Sequence, residues 1–369
     1  MSHAPQTQTS TPQVRIDLSA LQHNLAVARR YAPGSKLLAV VKADAYGHGA
    51  LRIAQALEAA DAFAVARLSE AIYLRESGIH KDILLFEGVN DQDELQQAQQ
   101  HQLQLVVHQQ EQISLLQQSA GAALTIWLKI DTGMHRLGFH PQDAAAAYRQ
   151  LSESSAVHGQ PQLMTHLADA DDRHSPHSNE QCEQFDQAVA DLRGEQSIAN
   201  SAALLGWPDT HRDWVRPGIM LYGASPFLDS PASDWDLKQV MSLETRLIAT
   251  KQCKQGEAVG YGSRWQCPED MLIGIAAIGY GDGYPRHAPD NTPVLVGEQR
   301  SGIIGCVSMD MLAIDLRPCP EAKLGDSVLL WGQSRGGIIL PVDEVAQKAE
   351  TIAYELFCQL TSRVKFVYQ

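Results

Sequence analysis

Positive charge is scarce in this 369-residue chain: 29 Lys and Arg stand against 43 Asp and Glu, a net charge of −14. That balance excludes a general nucleic-acid or anionic-membrane surface and leaves room only for local basic patches. Long apolar runs are missing too, none approaching the roughly 20 residues that span a bilayer. The N-terminal MSHAPQTQTSTPQ has neither a basic start nor an apolar stretch, so it reads as a polar tail instead of a secretion signal. Cysteine is sparse, and Cys182, Cys253, Cys267, Cys306, Cys319 and Cys358 show no C-x-x-C spacing. Neither a disulfide framework nor a zinc site follows, and reduced thiols in the cytoplasm are expected. What is present, 44% hydrophobic and 20% charged residues, is the profile of a globular chain long enough for two domains.

From Ser19, Leu21, Leu25 and Ala28 follow helical spacing until Pro33-Gly34 ends the run. Short apolar segments then alternate with helical stretches. Eight strands are expected at residues 37–41, 62–66, 83–86, 103–107, 124–130, 163–166, 197–199 and 214–215. Strands separated by helices imply parallel crossovers, and eight such units predict a closed (β/α)8 barrel of the TIM type. An open doubly wound sheet is the alternative. The glutamine-rich stretch from Gln92 to Gln118 reads as two solvated barrel helices around a strand. After the linker-like PFLDSPASDWD the alternation stops, and runs at 240–250, 271–278, 294–296, 311–316 and 328–331 predict a mostly β domain. A helix over 341–358, with Asp343 as its cap, and a last strand at 364–368 complete it. The expected domains are 14–236 and 237–369.

In a barrel, reactive residues belong at the carboxyl ends of strands. Lys42 ends the first expected strand; Lys129 and Asp131 end the fifth, followed by Arg136. His166 ends the sixth, Asn200 and Ser201 follow the seventh, and Arg216 with Gly218 follows the eighth. Each has an ordinary explanation, Lys42 reaching solvent, His166 in a core or Ser201 as a helix cap, but their shared placement is informative. A lysine among apolar neighbours is pushed toward its neutral, nucleophilic form and can make a Schiff base. Backbone N–H groups near Ser201 and Gly218 suit a phosphate. Together they point to a phosphorylated aldehyde, pyridoxal phosphate. The segment HLADADDRHSPH mixes carboxylates and imidazoles without metal-ligand spacing, and no metal is expected. Tyr261 and Tyr280 stand in glycine settings that on composition read as turns beside packing aromatics.

Ordered motifs from Val14 to Tyr368 change that last reading. AVVKADAYGHG, WLKIDTGMHRLGF, HLADAD, NSA, RPGIMLYG, VGYGSRW, GYGDGYPR, VSMDM and AYE resemble the alanine racemases of the pyridoxal-phosphate barrel type. The resemblance implies that Lys42 carries the cofactor and is one of two bases, with Tyr261 of a partner subunit the other. It implies a phosphate set of Tyr46, Ser201, Gly218, Ile219 and Tyr354, with Tyr222 nearby, and Arg216 at the pyridine nitrogen. Arg136 and the Met309 N–H would hold the substrate carboxylate, His166 would contact Tyr261 and Arg216, and Lys129 would be carbamylated. Tyr280 and Asp310 would line the access channel.

The implied activity is interconversion of L- and D-alanine by a cytoplasmic homodimer, supplying D-alanine for peptidoglycan or serving alanine catabolism. Inversion needs proton removal on one face and return on the other, which two bases accomplish. The rivals are a broader-specificity racemase, a decarboxylase of the same architecture, and a non-catalytic cofactor carrier. Arg216 stands where the decarboxylases resemble a pattern with an acid, and the carrier needs neither the β domain nor Tyr261.

Overall fold

The structure, a computed structural model, describes residues 11–369. It divides into two compact units: residues 21–238, and a second made of the described N-terminal residues together with Gln239–Gln369.

The first strand, β1 (Gln13–Ile16), belongs to the second unit. Val14 and Ile16 are fully buried, and β1 runs antiparallel to one C-terminal strand and parallel to another. The expected span of 14–236 therefore begins one strand too early, since a four-residue apolar alternation cannot by itself say which sheet receives it.

The barrel unit follows. β2 (Lys36–Val40), β3 (Ala62–Val65), β4 (Ile83–Leu85), β5 (Gln104–Val107), β6 (Ile126–Lys129), β7 (Gln162–Met164), β8 (Gln196–Ser197) and β9 (Trp214–Val215) pair in parallel, and β2 with β9 closes the ring. Leu37, Ala39, Phe63, Val65, Leu84, Val106 and Leu128 are 1% exposed or less. Parallel strands buried on both faces read as continuous apolar runs, which made most of them visible in the sequence, while β8 itself is only Gln-Ser and was marked by Ile198 and Ala199 just beyond it. The glutamine-rich segment forms two helices, Gln92–Gln100 and Gln110–Gln117, around β5. One glutamine departs from the expected solvated coat: Gln112 is buried, accepts from His108 N–H at 2.8 Å and donates to Glu87 O at 3.1 Å.

The second unit is built on β10 (Met241–Cys253), β11 (Ala258–Val259), β12 (Trp265–Gln266), β13 (Met271–Ala276), β14 (Pro293–Val296), β15 (Gln299–Ile304), β16 (Leu312–Asp315), β17 (Ser327–Gln333), β18 (Ile339–Leu340) and β19 (Lys365–Tyr368). The nine-stranded order is β18-β17-β14-β15-β16-β13-β10-β1-β19, and β17 also pairs with the long β10, so the ladder returns on itself. The expected helix over 341–358 is two, Val342–Lys348 and Ala353–Cys358, separated at Glu350 by a left-handed φ of 54°. Asp343 lies in the first turn, and Pro341 occupies the cap position. Among the described residues no helix is long and apolar enough to cross a membrane.

Candidate active site

The turn after β2 carries Lys42. Ala43, Asp44, Ala45 and Tyr46 all have left-handed backbone angles, φ 51 to 53°. For L-residues this conformation costs about 1–2 kcal/mol each, so four in succession need support from outside the turn. The support is visible. Gly49 N–H donates to Asp44 O at 3.0 Å, Ala50 N–H to Asp44 Oδ1 at 2.7 Å, and Ala43 N–H to Glu70 Oε1 at 2.6 Å. Buried His48 sets its Nδ1 2.8 Å from Tyr46 O, so that nitrogen carries the proton and donates. Burial pushes the His48 pKa down to about 4. The Tyr222 ring lies 4.6 Å from the His48 ring and 4.7 Å from Tyr46, and its hydroxyl donates to Val40 O at 2.9 Å. Lys42 and Tyr46 thus leave a turn that packing fixes at both ends.

Beside them, the segment after β9, the barrel neighbour of β2, makes a cradle. A Cβ at Gly218 would stand 2.6 Å from the Tyr46 hydroxyl and 3.8 Å from Ser201 Oγ. The Gly218 N–H donates to Ser201 Oγ at 2.8 Å, with the Met220 N–H at 3.4 Å. Asn200 caps the helix Ser201–Gly206 by accepting from Ala203 N–H, so the Ser201 hydroxyl serves the cradle and not the cap. Ile219 follows, buried.

Arg216, directly after β9, is 3% exposed. Its guanidinium donates to Ser197 Oγ (2.6 Å), Thr165 O (2.7 Å) and Ile198 O (2.9 Å), and stands 3.3 Å from His166 Nδ1. All four neighbours are neutral. Burial lowers its pKa to about 10, which still leaves it charged at neutral pH. Burial, then Arg216, Lys129, Arg136 and Lys42, hold His166 well below the ordinary imidazole range. Lys129 is brought down to about 8 by burial, Arg216 and Arg136, against the pull of Asp131. Partial burial would raise the Asp131 carboxyl, but N–H bonds from His135 and Gly133 outweigh it and keep it low. The barrel mouth therefore gathers cations around an imidazole that cannot share their charge.

Several members of this site were not expected. Thr132 and Thr165 join hydroxyls at 2.8 Å, and buried Gln181 donates to His166 O at 3.2 Å while accepting from Ala168 N–H. Ser197 and Thr165 offered one signal, a hydroxyl inside or just beyond an apolar strand. Gln181 offered none, because it reaches the site from the helix His177–Val189.

The second unit holds the remaining expected residues. Tyr261 follows Gly260 (φ 76°) in a short turn and is 70% exposed. This turn packs on the segment after β15: a Cβ at Gly305 would meet Val259 O at 2.8 Å, and one at Gly260 would meet Cys306 N at 3.6 Å. That segment continues to Met309 and Asp310. Tyr280 N–H donates to Ser308 O at 3.0 Å and Gly281 N–H to Met309 O at 2.8 Å, which seats Tyr280 beside them. Arg363 binds Asp310 at 2.6 Å and Asp282 at 3.1 Å. Tyr354 lies half-buried in the helix Ala353–Cys358.

A cationic barrel mouth with an amine at one strand end, a hydroxyl-lined glycine cradle and a separate mostly β unit define an enzyme of the barrel-plus-β type. The barrel matches the family described as alanine racemase, N-terminal domain, over residues 16–226, and the second unit matches alanine racemase, C-terminal domain, over 240–368. An alanine racemase of Nitrosococcus oceani is 51% identical over 354 residues, 96% of this chain and 98% of that one. One of Aeromonas hydrophila is 47% identical over 355 residues, covering 96% and 98%. The biosynthetic alanine racemase from Pseudomonas aeruginosa superposes with a TM-score of 0.93 at 45% identity, over 97% of this chain and 99% of that structure. The chain belongs to the alanine racemase family, which is pyridoxal-phosphate-dependent.

Proposed function

We propose that this chain interconverts L- and D-alanine, with pyridoxal phosphate held at the barrel mouth. The observation that carries the reading is the pairing of Lys42, on its strained turn, with the Tyr46–Ser201–Gly218 cradle inside a cationic field. The fit has two parts. The cradle supplies hydroxyls and backbone N–H groups to a phosphate, and Lys42 supplies an amine to an aldehyde. When bound, the cofactor acidifies the α-proton of alanine and serves as the electron sink.

The chain's own residues do the rest. Tyr46, Ser201, Gly218, Ile219 and Tyr354 hold the phosphate. Arg216 would donate to the ring nitrogen, and its guanidinium would not readily surrender a proton to it. Lys42 Nζ serves one face of the substrate and Tyr261 Oη, from the partner subunit of a homodimer, serves the other. Free tyrosine, with a pKa near ~10, needs help as a base, and the Arg216–His166 pair supplies positive charge and a neutral imidazole. Arg136 and the Met309 N–H bind the substrate carboxylate. Lys129, whose pKa of about 8 gives it a neutral fraction for carbamylation, then supplies the anion that orients Arg136. Tyr280 and Asp310 guard access, and the product D-alanine feeds peptidoglycan synthesis. Arg216 disfavours the decarboxylase reading.

Incubation with L-alanine and pyridoxal phosphate in D2O tests the proposal. Loss of enantiomeric excess together with deuterium at Cα is expected. Cofactor bound at Lys42 with neither inversion nor exchange would sink it.

A further inference from the structure

We propose that Glu70 is a positioning residue for Lys42, an inference that rests on reading Lys42 as the cofactor-holding amine. The helix Leu68–Glu76 starts just after β3, the strand that pairs with β2 in the barrel. Glu70 is its third residue, and its two carboxylate oxygens are engaged differently. Oε2 accepts from the Ala66 N–H at 2.9 Å and the Arg67 N–H at 3.0 Å, which caps Glu70's own helix. Oε1 accepts from the Ala43 N–H at 2.6 Å.

Ala43 is the residue directly after Lys42 and the first with left-handed angles. Its N–H belongs to the peptide unit that joins Lys42 to the strained turn, and a helical turn offers its first N–H groups no internal acceptor. Glu70 supplies one from the neighbouring strand–helix connection. The far end of the turn is held by other groups, Asp44 on Ala50 N–H and His48 on Tyr46 O. A charge-assisted bond to the Lys42–Ala43 peptide therefore stops the near end from rotating back toward the right-handed region, which would carry the Lys42 Cα and its amine with it. Lys42 acts on His166 and Lys129 across the mouth, so a shift of its stem is felt where the chemistry takes place.

The two roles of Glu70 separate in Glu70→Gln. An amide has one acceptor oxygen, and two N–H donors on the Oε2 side outbid the single Ala43 N–H on the other. The glutamine keeps the helix cap and turns its NH2 against Ala43. The test uses full-length protein freed of cofactor. Pyridoxal phosphate is added, growth of the Schiff-base absorbance is followed, and borohydride reduction with peptide mapping locates the modified lysine. Pyridoxamine 5′-phosphate, which shares the ring and phosphate but has no aldehyde, is bound in parallel, and the melting temperature is recorded.

In Glu70→Gln the Lys42 condensation rate is expected to fall about tenfold or more, with pyridoxamine-phosphate affinity within about twofold and melting unchanged. A condensation rate equal to wild type overturns the proposal, as does equal loss for both ligands together with a lowered melting temperature. If the glutamine protein does not fold, Glu70→Asp, which withdraws the carboxylate by one methylene, carries the same expectation. Failure of the wild-type protein to condense at Lys42 would instead overturn the functional reading itself.

Discussion

His48 and His166 are both kept unprotonated, but by different surroundings. Around His166 burial is joined by four cations, whereas at His48 burial works against hydrogen bonds from the turn backbone that favour the charged ring. The distinction makes His48 testable without the cofactor. The unfolded chain takes up a proton at this ring below about 6.5, the folded one only below about 4. Between those values the unfolded state binds more protons, so stability is lost as pH falls through the window. The loss at its lower end is on the order of 3 kcal/mol. Urea unfolding of the cofactor-free protein at pH 7 and pH 4.5 should therefore show a steeper decline in wild type than in His48→Gln, which cannot titrate. Equal pH slopes would mean that His48 is not the buried base described.

Among the elements of the site, the loop after β9 depends on the absence of a side chain. In Gly218→Ala the new Cβ would stand 2.6 Å from the Tyr46 hydroxyl, and the Tyr46 ring is held by its tilted contact with Tyr222. The phenol can retreat only by leaving the cradle. Cofactor affinity is expected to weaken about tenfold or more, read by equilibrium titration of the cofactor-free protein, because a hydrogen bond to a charged phosphate is lost. Unchanged affinity would take Tyr46 out of the phosphate set. Ser201 and Gly218 were legible in the sequence by their place after the barrel's last strands, whereas Tyr46, in the turn after the first, was legible only through the family motif. Elements whose form depends on distant partners were not. The left-handed turn contains Ala-Asp-Ala-Tyr, with glycine only beyond it, so local preference gives no hint of four positive φ values. β15 reads Gln-Arg-Ser-Gly-Ile-Ile, too polar at its start to resemble a strand until β14 and β16 flank it. The break at Glu350 likewise lacks the glycine or proline that would mark it. Glu70 and Gln181 were missed because a carboxylate or amide on an ordinary helix becomes informative only when the group it holds is known.

At the scale of the whole molecule, the proposed chemistry is divided between two units: Lys42 belongs to the barrel and Tyr261 to the β unit. Tyr261 at 70% exposure, Met309 at 52% and Met311 at 43% are large apolar groups left open to solvent. The Gly260–Cys306 packing links the Tyr261 turn to the segment that leads into both methionines. In the proposed two-fold dimer these groups would lie at the interface, each chain covering its partner's. Complementation tests this directly. Lys42→Ala and Tyr261→Phe homodimers should each be nearly inactive in racemisation. Co-expressed with different tags and purified as a random mixture, half the dimers are hybrids, and each hybrid has one site combining an intact Lys42 with an intact Tyr261 from the other chain. About a quarter of wild-type activity is then expected. If each site drew both bases from one chain, hybrids would contain no complete site, and an inactive purified hybrid would end the proposal of catalysis in trans.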